Sequence, residues 1–138
     1  MTTTQTRTQT QTSMAPMMWA LFLICAGLLI ASGAIHLHLW FLAYRHVKTL
    51  NALFLVQAIG TFVAAIVLLI TRNFLIAAGC ALLMAGTIVG FLLAKTVGIF
   101  GFKLPYITTE AWIVLVIEAV AVVLLAITAW LSLKQRSN

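Results

Sequence analysis

Residues 50–97 read LNALFLVQAIGTFVAAIVLLITRNFLIAAGCALLMAGTIVGFLLAKTV, two long apolar runs parted only by Thr71-Arg72-Asn73. Each run exceeds the roughly 20 residues that a helix needs to cross the hydrocarbon of a bilayer. Strands are excluded, because an isolated strand in lipid leaves its backbone donors and acceptors without partners. The stretch therefore predicts a membrane helical hairpin, with spans at about Leu50–Ile70 and Phe74–Val97.

Working outward, an apolar run from about Met17 to Trp40, or as far as Tyr44, precedes the hairpin, and another from about Ala111 to Leu133 follows it. The expectation is an all-α integral membrane bundle of four transmembrane helices over residues 16–133. Pro16 suits a first helical position, where its missing N–H is harmless. Residues 1–15, MTTTQTRTQTQTSMA, are a Thr/Gln tract with nothing to bury and are expected to be disordered. Residues 134–138 form a short basic tail. The connection Gly98–Glu110, GIFGFKLPYITTE, is interrupted by Pro105 and two glycines. Trp19 and Trp130 mark one interface, and Trp40, Tyr44, Tyr106 and Trp112 the other, which fixes the register of the spans.

Composition agrees. The chain has 138 residues, of which 64% are hydrophobic and 7% charged, with a mean hydropathy of +1.16. A soluble domain carries roughly 25% charged residues, and so short a chain cannot hide this much apolar surface from water by itself. Lipid is its solvent. The net charge of +6 comes from scattered Lys and Arg against Glu110 and Glu118 alone. Scattered cations set topology and touch lipid headgroups, whereas nucleic-acid binding calls for a dense basic patch that is missing here. Their balance leans towards both termini in the cytoplasm, and the expected location is the plasma membrane, as a multi-pass protein. Met17–Ile30 followed by Ala31-Ser32-Gly33-Ala34 imitates a signal peptide, but the apolar run continues past it, so retention is expected. Cys25 and Cys80 sit in separate spans and read as small hydrophobes.

Threading the spans up and down brings His36, His38, Arg45, His46, Gln57, Lys95 and Glu118 towards one leaflet. Depth sharpens the group. Glu118 lies roughly 12 Å along its helix from Glu110, and Gln57 and His36 lie roughly 13 Å from Lys48 and Arg45. A carboxyl, an amide and an imidazole thus share one level. Intramembrane polar groups are costly and commonly functional. His36, Gln57, Lys95, Glu118 and Arg45 are the candidate ligand or proton site, with His36 or Lys95 as counter-charge to Glu118. Against this stands the bland reading of each. Glu118 and Gln57 could simply fasten helices, Lys95 could snorkel to the interface, and Arg45 could anchor it. His38 follows His36 by two residues and points to another face, so a metal held by His36, His38 and His46 is a weak reading.

Gly86, Gly90, Ala94 and Gly98 recur every four residues along the third span. Such a small-residue ridge lets a neighbouring helix approach closely, either inside the bundle or in a second copy. Gly60 and Ala64, on the stripe of Gln57, are the matching packing candidates in the second span.

The string GAIHLHLWFLAYRHVKTLNALFLVQAIG (Gly33–Gly60), TVGIFGF (Thr96–Phe102) and Glu118 resemble a group of small four-span membrane proteins frequent in actinobacteria that carries no assigned activity. The resemblance implies architecture, and groups His36, Tyr44-Arg45, Gln57, the Gly98/Gly101 turn and Glu118 into one pattern. Small multidrug exporters match in length but hold their glutamate in the first span, and the cysteine pattern of tetraspan adhesion proteins is missing.

No Gly-rich phosphate loop, nucleophile triad or catalytic carboxylate pair is present, so no catalytic residue is expected. The leading expectation is a non-enzymatic accessory or ligand-binding subunit, alone in the bilayer, self-associated or in a larger membrane complex. Two alternatives stay open: a proton- or cation-coupled transporter using Glu118, and a redox accessory holding haem, quinone or metal near His36. Nothing in the residues requires a cofactor.

Overall fold

The computed structural model describes residues 4–138, with side chains from Ala15 onward. Among the described residues the chain is all-helical, with α1 at Thr4–Leu39, α2 at Leu50–Thr71, α3 at Phe74–Thr96 and α4 at Thr109–Ser137. The membrane-crossing segments are Ala15–Tyr44, Leu50–Thr71, Phe74–Thr96 and Thr109–Ser137. An even number of crossings returns both termini to one side. The backbone of α1 runs back through Pro16 to Thr4 rather than beginning at the proline. Most of the tail expected over residues 1–15 lies outside the residues whose side chains are described.

The local signals for the hairpin operate as expected. Arg72 ends α2 in the left-handed region at φ 45°, and Asn73 caps α3 by accepting the Leu75 amide at 3.0 Å. The Arg72 guanidinium lies 4.4 Å from the centre of the Trp19 ring, tying the hairpin tip to the start of the first span. At the same end Lys134 sits over Trp130 and Arg136 over Phe74. Cations and aromatics thus share one membrane boundary.

The helices form a square. α1 packs along α2 and α4, and α3 along α4, while α2 and α3 touch least and the diagonal pairs do not meet. The half of the bundle near the termini is filled by a continuous core, with Leu29, Leu68, Met84 and Leu125 fully buried at its centre. The other half is different. α2 and α3 touch near their shared hairpin, where the Cys80 thiol approaches the Ala64 carbonyl at 4.0 Å. Further along they leave a cavity of about 460 Å³, which reaches from Leu53 and Leu82 on α2 and α3 to His36 and Glu118 on the other two helices.

The small-residue contact falls elsewhere than the sequence suggests. The Gly86–Gly90 ridge brings no backbone close: a Cβ built at either glycine, or at Gly60, would meet nothing within 4 Å. Within the chain, Gly86, Gly90 and Ala94 line the cavity instead of a contact with another helix of the bundle. The tight approach is at Gly33 on α1, where a Cβ would run into the Thr61 hydroxyl and lie 3.2 Å from the Ala58 carbonyl and 3.3 Å from the Phe62 ring. A close crossing depends on what faces a glycine, and spacing within one helix does not report that. Ala64 packs against the core. Gly98 acts through its conformation, at φ 91°, where the chain leaves α3.

Gly33→Ala is therefore expected to destabilise the bundle by about 1–3 kcal/mol through overpacking. Gly86→Ala should be neutral, or stabilising by up to about 1 kcal/mol through helix propensity. Thermal unfolding of both variants in the same detergent distinguishes them, and equal losses would contradict this packing.

Candidate functional site

The site begins with spacing on α1. Ser32 and His36 are four residues apart and so share a helix face, and both are buried. His36 Nδ1 lies 2.9 Å from the Ser32 carbonyl oxygen. A carbonyl only accepts, so Nδ1 carries a proton and the tautomer is set. Its other nitrogen, Nε2, then points 3.8 Å from Glu118 Oε1 on α4. Ser32 donates its hydroxyl to the same carboxyl oxygen at 3.1 Å. Glu118 is 1% exposed, so these two α1 side chains are what meets its polarity inside an apolar core.

Nε2 and Oε1 are 3.8 Å apart, near enough to interact electrostatically and too far for a direct hydrogen bond. With Nδ1 protonated, a bare Nε2 facing a bare carboxylate away from water is costly, so a proton on one of the two groups is the less expensive arrangement.

Gln57 lines the cavity from α2, and its Nε2 is buried without a hydrogen-bond partner. The remaining walls are largely apolar and aromatic. A π-helical turn at Trp40–Tyr44, closed by the Arg45 amide on the Trp40 carbonyl at 2.9 Å, extends the first span beyond the α-helix. It brings Tyr44 onto Phe54, with ring centres 4.3 Å apart. Such a wide turn often sits beside a functional site. Trp40 Nε1 donates to Asn51 at 2.6 Å, and Asn51 donates to the Arg45 carbonyl at 2.8 Å, which holds the α1–α2 connection closed.

The α3–α4 connection forms the roof. Ile99 and Phe102 exchange backbone hydrogen bonds at 2.7 and 2.8 Å around a two-residue turn. Its central residues, Phe100 and Gly101, both have positive φ, at 47° and 80°. The Leu104 amide then donates to the Ala94 carbonyl at 2.9 Å, folding the turn back against α3. Ile99, Phe102 and Leu104 face the cavity from this turn.

The sequence-predicted residues divide cleanly. His36, Gln57 and Glu118 line one cavity. Lys95 does not join them: its ammonium donates to the Pro105 carbonyl at 3.1 Å, towards the connection. Arg45 is exposed and donates to His46 Nε2 at 2.9 Å, and His38 is exposed on another face of α1. Among the described residues no three His, Cys, Asp or Glu side chains are grouped to hold a metal ion. Sequence reasoning missed Ser32, whose signal was its place four residues before His36. It also missed the Tyr44–Phe54 wall, for which WFLAY offers no local marker of a wide turn.

Comparison with protein-family models, curated proteins and solved structures finds no match to this chain.

Ser32→Ala removes the one hydroxyl donor to a buried carboxyl and is expected to cost about 1–3 kcal/mol. In the Ser32→Ala/Glu118→Leu double variant that cost should shrink, with a coupling of about 0.5–3 kcal/mol. Unfolding of all three variants in detergent measures it, and strict additivity would show that the two side chains do not interact.

Proposed function

We propose that this small polytopic membrane protein is a non-enzymatic binding protein for a lipophilic small molecule, which it takes up from the surrounding bilayer. The observation that carries this reading is the cavity itself. At about 460 Å³ it falls within the range of small-molecule pockets, roughly 300–1,000 Å³, and its composition fits as well, with apolar walls and a few convergent polar groups. Leu53 and Leu82, 43% and 74% exposed, sit on the two helices that diverge. A ligand can therefore come and go sideways between α2 and α3 without crossing water.

The alternative of proton or cation transport through Glu118 has less support. Beyond Glu118 towards the termini, α4 buries Ala121 and Leu125, which pack with Leu29, Leu68 and Met84 into an apolar plug. Conduction needs polar or hydrated continuity, and this plug interrupts it. A haem or metal role near His36 has one buried imidazole to offer, which favours an organic ligand.

Native mass spectrometry of the full chain, purified from membranes in mild detergent, tests the binding reading. One retained adduct per chain is expected in the wild type. It should be lost in Gly90→Leu, where the new side chain enters the cavity without meeting protein atoms near its Cβ. An adduct that persists in Gly90→Leu, or a bare wild-type chain, would overturn the proposal.

A further inference from the structure

From the chemistry of the cavity we infer that the ligand is neutral and carries carbonyl oxygens on a flat ring, a lipid-soluble quinone type of molecule. This deepens the binding reading above and rests on it. Charge comes first. The ionisable side chains on the cavity wall are Glu118, His36 and the Tyr44 phenol, and no Lys or Arg reaches it. An anionic head such as a phosphate or fatty carboxylate would face Glu118 without a counter-charge, at a large desolvation cost. A quaternary ammonium head fails for another reason. Gln57 Nε2 is a buried N–H donor without a partner, and such a head carries no atom that accepts from it.

Position then selects among neutral heads. Gln57 is on α2 and Glu118 on α4, diagonal helices that do not touch. His36, on α1, packs beside both, with its ring centre 5.4 Å from that of Phe54 on α2. A single hydroxyl or ester would satisfy one side and leave the other bare. A ring with oxygens at opposite ends can accept from the Gln57 amide on one side and from a protonated Glu118 carboxyl or His36 Nε2 on the other. Phe54, Phe91, Phe102 and Tyr44 supply aromatic surface for such a ring. Its alkyl tail leaves through the gap between α2 and α3 into lipid.

The test uses delipidated full-length protein and three probes with the same decyl chain: a decyl-substituted benzoquinone, undecanoate and decyltrimethylammonium. Dissociation constants are measured for wild type, Gln57→Leu, His36→Phe and Gly90→Leu, with thermal unfolding to establish that each variant is folded. The quinone should bind the wild type at least about tenfold more tightly than either charged probe. Loss of one hydrogen bond in Gln57→Leu or His36→Phe should weaken it by about tenfold, and Gly90→Leu should abolish binding. If a charged probe binds as tightly and is excluded by Gly90→Leu, the cavity reading stands and the ligand class is wrong. Quinone binding unchanged in both folded polar variants also overturns the class. If no probe binds the wild type and its unfolding temperature moves with none of them, both readings fall together.

Discussion

Glu118 sets the terms for the rest of the bundle. A carboxyl that is 1% exposed inside an apolar protein needs partners, and lipid offers none. Ser32 and His36 supply them from α1, one through a hydroxyl and one through an imidazole whose tautomer is fixed by the helix backbone. That demand draws α1 and α4 together at this depth. α2 is held to α1 by the crossing at Gly33 and α3 is packed along α4, so the remaining gap in the square opens between α2 and α3.

The two halves of the bundle then serve different ends. Near the termini, large side chains meet at the centre and the core is continuous. Near the opposite face, Gly86, Gly90 and Ala94 remove volume from α3, and the centre is left open around polar groups. Small residues in membrane helices usually read as sites of close approach. Here the same chemistry produces a void, because α2 diverges from α3 where the small residues occur.

Roofing the void requires backbone conformations that most residues avoid. Gly98 and Gly101 adopt positive φ where a side chain would be strained, and Phe100 accepts it at the tip of the turn. With the turn fixed in this way, Ile99 and Phe102 are aimed back over the cavity. The π-helical turn at Trp40–Tyr44 does the corresponding work on the other wall. Both features lie at the same end as the polar centre, so irregular backbone, polar side chains and open volume coincide there.

The division between what was legible and what was not has a physical basis. Hydrophobic length determines membrane helices directly, so the four spans, the Thr71–Asn73 turn and the aromatic boundaries could be read residue by residue. Axial depth is equally local, since each residue advances a helix by a fixed rise, and it placed His36, Gln57 and Glu118 at one level. Rotation about the helix axis and the choice of neighbour are not local. They decided that Lys95 turns to Pro105 rather than to Glu118, and that Gly33 rather than Gly86 makes the close crossing. They also decided that Ser32 joins the buried carboxyl. The sequence alone determined how many helices cross and at what depth their polar groups lie. Only the packing of one helix on another decided which of those groups face each other, because that depends on the summed fit of whole surfaces.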